Sequence, residues 1–279
     1  MRPSSLWAEG PAGNRLHLAD WGGAGPGLLL LHGMGAHTGW WNPVVPLLPA
    51  GRRVVALDLR GHGDSAWVEP PAYLLDDYAA DVEAVRRSLG WETFDLAAHS
   101  LGARVALRYA GGHGARLRSL ALLDFFAADW HGRESGPLNR PPTSFGDREA
   151  ILGRFRLQPA GTLLDAAGLR NVGLDSVRQA ADGRWQWKFD WRALYPRQPW
   201  DPAEPSKAAM PTLLLRGEES LTMPRASFQS VLNALPNAGR PRRDGGGAGV
   251  LLGINQLIRL VSLRGWAGGR QRSPLMKMN

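Results

Sequence analysis

The chain has 279 residues, enough for one large α/β domain or two small ones, and its 44% hydrophobic and 21% charged residues make an ordinary globular balance. It contains no cysteine, which excludes a disulfide scaffold, a thiol nucleophile and any cysteine-ligated zinc or iron–sulfur centre. The net charge of +8 points toward nucleic acid only until it is located: residues 239–279 hold eight Arg or Lys against the single Asp244, so +7 of it lies there, and no nucleic-acid partner is expected. No apolar run approaches the roughly 18 residues of a membrane helix. The stretch from Met1 to Pro11 has one Arg and no apolar signal core, so the expectation is a cytoplasmic protein with no membrane partner and with its oligomeric state open.

In chain order, the four leucines Leu28 to Leu31 predict a strand buried on both faces, ending at His32, Gly33, Met34 and Gly35. Arg53 to Asp58 predicts a second strand. Asp76 or Asp77 is a candidate cap for a helix in which Tyr78, Val82, Val85 and Leu89 share a face. Phe94 to Ala98 is a third strand, followed by a helix from Leu101 to Ala110 that Gly111 and Gly112 are expected to stop. Leu117 to Leu123 is a fourth strand, closing on Asp124. From Phe125 to about Pro205 the text turns rich in Pro, Trp and Arg, and carries Trp130, Trp185, Trp187, Trp191 and Trp200. An excursion this long between buried strands reads as a lid. The sheet resumes at Pro211 to Arg216. A helix then turns Phe228, Val231, Leu232 and Leu235 inward, and a last one places Ile254, Leu257, Ile258 and Val261 on one stripe. No internal repeat is visible, and Gly245 to Gly249 is the one low-complexity patch. The alternation predicts an α/β fold on a mostly parallel, doubly wound sheet, with a core of residues 1–124 and 206–279 and a helical cap of 125–205.

The sharpest motif is Ala98-His99-Ser100-Leu101-Gly102 between a strand and a helix. A nucleophile at such a turn sits in a strained conformation, needs small residues two before and two after, and faces the N–H groups of the helix start. His32-Gly33-Met34-Gly35 follows the first buried strand, where the N–H of Met34 can face that of Leu101. Asp58 to Ser65 is a glycine-pinned loop after the next strand. As a dinucleotide fingerprint Gly33-Met34-Gly35 fails, because the third glycine falls at Thr38.

These three motifs, in this order, resemble the cap-bearing esterase, lipase and epoxide-hydrolase-like group of the α/β-hydrolase fold, and the likeness covers most of residues 15–238. The resemblance implies Ser100 as nucleophile, Met34 and Leu101 as oxyanion donors, a small-molecule substrate, and neither a metal nor an organic cofactor. It also implies an acid after one of the last strands and a late histidine as base. The spot commonly taken by the acid, three beyond Gly217, holds Ser220. Glu219, Glu218 and Asp124 are the alternatives. None of the seven histidines follows His131, and Val250 stands where the resemblance places the base. Loss of a triad base costs on the order of 10⁶ in kcat. His62 and His131 are possible substitutes, His32 and His99 are expected to buttress their turns, and His113 is expected on an exposed turn. Trp40, Trp41, Phe125, Phe126 and Trp130 are candidate pocket walls. The stretch Trp185 to Trp191 is either a wall or a half-buried cap strand. The expectation is a hydrolase of carboxylic esters or related bonds. Its alternatives are a ligand-binding pseudohydrolase and a frame-disturbed copy of an active gene, the latter because Arg240 to Gly253 is Arg- and Gly-rich where a strand and turn belong.

Overall fold

The computed structural model describes residues 2–128, 144–156, 165–194, 199–217 and 220–238. Its seven-stranded sheet runs in the order β1 (Ser4–Glu9), β2 (Arg15–Asp20), β4 (Arg53–Leu57), β3 (Gly27–Leu31), β5 (Phe94–His99), β6 (Leu117–Leu123) and β9 (Thr212–Leu215). The β1–β2 and β2–β4 pairs are antiparallel, and from β4 onward every neighbour is parallel. The five expected strands are all present. The β1–β2 hairpin, bent through a Gly13 at φ 71°, adds two more.

Alternate residues of the central strands feed two cores, as the strand period of two requires. Leu29, Leu31, Val55, Leu57, Leu96, Leu120 and Leu122 pack under α1 (Leu75–Ser88) and α2 (Leu101–His113). Leu28, Leu30, Val54, Ala56, Ala97 and Ala121 pack on the opposite face against Trp21 and Trp41. Each fully buried leucine contributes about 1.5–3 kcal/mol. Because β3 lies between β4 and β5, the strand order reverses at β3, and such a switch point is where ligand crevices form, outside the carboxyl ends of the strands.

Three local expectations change. Leu74, not an aspartate, occupies the cap position of α1; Asp77 acts from inside the first turn, accepting the N–H of Leu74 at 2.8 Å. Helix α2 runs through Gly111 and Gly112 to His113, where an i,i+4 contact offsets the glycine penalty: the His113 ring stacks on Tyr109, one turn earlier, at 4.8 Å and 7°. His113 is therefore the half-buried end of a helix and not an exposed turn residue. In α5 (Arg225–Ala234) the expected inward face holds, with Val231 buried and Phe228 and Leu232 against the core. The expected last helix and Val250 lie outside the described residues.

Strands β6 and β9 pair directly, from Leu120 with Thr212 to Leu123 with Leu215, so everything between them is an excursion from the sheet. Its described part mixes α3 (Arg148–Leu152) and α4 (Ala166–Asp175) with an antiparallel pair, β7 (Val177–Gln179) and β8 (Trp185–Trp187), the second of which falls in the stretch left open as a strand. Among the described residues, no helix is long and apolar enough to cross a membrane.

One buried ion pair ties the loop after β4 to α1. Arg60 grips Asp81 through Nε at 2.6 Å and Nη2 at 2.7 Å and donates Nη1 to the Ala72 carbonyl. Both side chains are almost wholly buried. Removing Asp81 leaves the buried Arg60 with only the longer contact to Asp77 at 3.8 Å, so Asp81→Ala is expected to cost about 3 kcal/mol of unfolding free energy, read from a urea denaturation curve.

Candidate active site

Ser100 links β5 to α2 with φ 52° and ψ −116°, a conformation that a residue with a Cβ rarely adopts. Two contacts impose it. The Ser100 N–H bonds the Leu123 carbonyl of β6 at 3.0 Å, and the Gly102 N–H bonds the His32 carbonyl at 3.1 Å. A Cβ on Gly102 would lie 2.7 Å from that carbonyl and 2.8 Å from Leu31, so only glycine lets α2 start this close to β3. Among the described residues, the non-glycine positions with positive φ are Ser100 and Asp124, which end the adjacent strands β5 and β6. Strain of this kind collects at functional sites.

The loop after β3 lies directly against this turn: a Cβ on Gly33 would sit 3.1 Å from Ser100 Cβ and 3.0 Å from His99 Nδ1. His32 sets the orientation of the loop. Its Nε2 accepts the Leu59 N–H at 3.0 Å, so Nδ1 carries the proton and donates to the Gly33 carbonyl at 2.7 Å. That carbonyl shares a rigid peptide plane with the N–H of Met34, so the ring fixes both. The N–H of Leu101 is a first-turn helix donor with no intrahelical acceptor. His32 and His99 thus buttress the two turns, as expected.

Asp58 joins these loops from behind. Its carboxylate accepts the N–H groups of Thr38 at 2.6 Å and Asp64 at 2.9 Å and pairs with His17 Nδ1 at 2.7 Å. Burial opposes its charge, but the His17 hydrogen bond, the nearby His32 and the Asp64 N–H outweigh that and hold it at about 2. Asp64 in turn pairs with Lys188 at 2.9 Å, so the grouping of His17, Asp58 and Asp64 is the frame of the loop. His62, a possible substitute base, is wholly buried; it donates Nδ1–H to the Arg60 carbonyl at 3.0 Å, with its ring 5.3 Å from that of His32. His37 accepts the Gly39 N–H at Nδ1 and donates from Nε2 to Ser176 at 3.1 Å.

On the acid side, Asp124 follows β6 at φ 42° and its N–H bonds the Leu215 carbonyl at 2.8 Å. Oδ1 accepts the Gly217 N–H at 3.2 Å and Oδ2 the Ser220 hydroxyl at 2.8 Å. Glu218 and Glu219 lie outside the described residues, as do Trp130 and His131.

Two expected pocket walls are corrected. Phe125 is 0% exposed, packed into the main core beside Trp200, and Trp41 is 6% exposed in the core on the opposite face of the sheet. Hydrophobicity marked both, but the strand parity and the turn at Thr38–Trp41 direct them inward. Trp40 and Phe126 remain half-buried. Trp185 and Trp187 lie on the half-buried strand β8, and Phe189 and Leu194 reach 3.9 Å from a Cβ on Gly35, over the loop after β3. A buried carboxylate that sequence reasoning missed, Asp190, anchors this roof. It accepts the Tyr73 hydroxyl at 2.6 Å, pairs with Arg192 at 2.8 Å, and its N–H bonds the Gly61 carbonyl at 2.7 Å.

Strand order and strained elbow together define an α/β hydrolase. The sequence model of the α/β hydrolase fold matches residues 26–167, and the chain belongs to that family. It is 42% identical over 107 residues to a fluoroacetate dehalogenase of a Burkholderia species, a stretch covering 37% of this chain and 35% of that protein. It is 37% identical over 171 residues to a pimeloyl-[acyl-carrier protein] methyl ester esterase of Methylococcus capsulatus, covering 58% of this chain and 62% of the esterase. Among solved structures, the thioesterase domain from the curacin biosynthetic pathway superposes with a TM-score of 0.72 at 22% identity, over 95% of this chain and 99% of that domain, a likeness of fold.

The site's histidines make stability depend on pH. Burial pushes His32, His37, His62 and His99 below their ordinary 6.5, His32 to about 3. A group kept neutral in the fold contributes in full above its unfolded value and loses that contribution as pH falls toward its folded one. The denaturation midpoint is therefore expected to drop between about pH 6.5 and 4.5, above the range where Asp and Glu titrate. A midpoint that stays flat over that interval contradicts the buried neutral rings.

Proposed function

We propose that the chain is a serine hydrolase acting on carboxylic esters or related bonds of small molecules, with Ser100 as nucleophile. The observation that carries this reading is the strained Ser100 turn pressed against Gly33 at the ends of β5 and β3. In the proposed reaction Ser100 Oγ attacks the acyl carbon while its proton passes to a base, and the Met34 and Leu101 N–H groups receive the developing oxyanion. The alcohol then leaves with a proton, and water releases the acid by the same path in reverse. An oxyanion donor contributes on the order of 10²–10³ in kcat. Asp124, fixed at the end of β6, is the acid of this site, and no cofactor is required. The methyl ester esterases among the relatives favour an ester substrate, and the aromatic roof of Trp187 and Phe189 favours an apolar acyl or alkyl group. We place the protein in the cytoplasm.

The candidates for the base are narrowed by what the described histidines do. His17, His32 and His37 bond through both ring nitrogens and His113 stacks on Tyr109, whereas His62 bonds only through Nδ1 and leaves Nε2 buried without a hydrogen-bond partner. Proton transfer is thereby left to His62, through Nε2, or to His131. A second reading, a ligand-binding pseudohydrolase, is favoured by one observation: no histidine follows residue 131, and Val250 holds the late position. Fluorophosphonate labelling and p-nitrophenyl butyrate turnover separate the two. Wild type is expected to label and turn over, Ser100→Ala to do neither, and one of His62→Ala and His131→Ala to lose at least a hundredfold in kcat. Wild type that does not label overturns Ser100 as nucleophile and leaves the binding reading as the one to pursue.

A further inference from the structure

The carboxylate of Asp124 and the hydroxyl of Ser220 come from neighbouring strand ends, β6 and the loop after β9, and their bond has only one possible direction. Ser220 Oγ accepts two backbone N–H groups, from Thr222 at 3.1 Å and Met223 at 3.0 Å. A hydroxyl has one proton and two lone pairs, so with both lone pairs occupied the proton goes to Asp124 Oδ2, 2.8 Å away. The other oxygen is held by the Gly217 N–H at 3.2 Å. Asp124 is thus clamped at both oxygens by one short loop while its own backbone is held at φ 42°. Its neighbour Leu123 accepts the Ser100 N–H, so the clamp lies one residue from the contact that sets the nucleophile.

We infer that Ser220 is a positioning residue for this reaction: the acid's task is divided between two strand ends, with the carboxylate supplied from β6 and its orienting donor from β9. The inference rests on the reading of Ser100 as nucleophile and Asp124 as its acid. Two oxygens fixed by separate donors leave the carboxylate a single rotamer, with its remaining lone pairs free to orient a base. A donor to a charged group contributes about 1.5–3 kcal/mol, roughly ten- to a hundredfold in rate when it is felt mainly in the transition state. The geometry also makes the two positions exchangeable, because side chains 2.8 Å apart can trade carboxylate and hydroxyl across the same gap.

The test is steady-state hydrolysis of p-nitrophenyl butyrate by wild type, Ser220→Ala, Ser220→Thr, Asp124→Ser and the exchanged pair Asp124→Ser with Ser220→Asp, each checked for folding by circular dichroism. Ser220→Ala is expected to lose about tenfold or more in kcat with KM within twofold, and Ser220→Thr, which keeps the hydroxyl, to restore it. Asp124→Ser is expected to lose at least a hundredfold and the exchanged pair to recover at least tenfold of that. Unchanged kcat in folded Ser220→Ala, or a loss that Ser220→Thr leaves in place, overturns the inference while Ser100 chemistry stands. An exchanged pair no better than Asp124→Ser likewise overturns the division of the acid's task. Wild type without turnover overturns the nucleophile reading and this inference together.

Discussion

Everything at the crevice depends on how closely α2 starts beside β3. The Gly102 N–H reaches the His32 carbonyl at 3.1 Å, and a methyl group on Gly102 would press into that carbonyl and into Leu31. The approach leaves the elbow no room to relax, so Ser100 takes up the strain and Gly33 closes over it. From that one constraint follow the projection of Ser100, the placing of the first-turn donor of Leu101 and the need for a glycine at 33. His32 serves the arrangement twice: its carbonyl receives Gly102, and its ring holds the peptide that bears the Met34 N–H.

The loops that meet there are fixed by buried polar groups more than by apolar packing. Asp58 holds Thr38, Asp64 and His17 at once, and Asp190 joins Tyr73, Arg192 and the Gly61 carbonyl. The first ties the site loops to one another, and the second ties the roof to the site loops. Hydrogen bonds are directional where apolar contacts are not, and a buried carboxylate with an empty oxygen is costly. Such nodes therefore specify one loop geometry. The roof over Gly35 is consequently a fixed part of the crevice, pinned as well by the Lys188–Asp64 and His37–Ser176 contacts.

Much of the frame was legible because its signals are local. Leu28 to Leu31, Phe94 to Ala98 and Leu117 to Leu123 read as buried strands, and Ala98 to Gly102 read as an elbow because the close approach demands small residues at fixed offsets. The hairpin β1–β2 was harder to see: β1 is an edge strand, largely exposed along Ser4–Glu9, and its apolar alternation is faint. Trp41 and Phe125 were apolar and near the site in sequence, yet which face each enters is settled by neighbours far away in the chain. Gly111 and Gly112 looked like a stop, but the stacking of His113 on Tyr109 carries the helix past them. Asp190 and the role of Ser220 were illegible for one reason: Asp190 acts through Tyr73 and Gly61, 117 and 129 residues away, and Ser220 through Asp124, 96 residues away.

Strain and support are matched across three adjacent strands. Ser100 at φ 52° hangs from Leu123, and Asp124 at φ 42° hangs from Leu215, so the ladder from β5 through β6 to β9 holds both residues in conformations that cost about 1–3 kcal/mol each. A glycine at either position would relieve that cost with no change in the ladder. What glycine lacks is a side chain at the crevice edge, a hydroxyl in one case and a carboxylate in the other. Two strained side chains, one strand apart and each fixed by the next strand's carbonyl, form a unit whose strain the sheet supports and does not relieve.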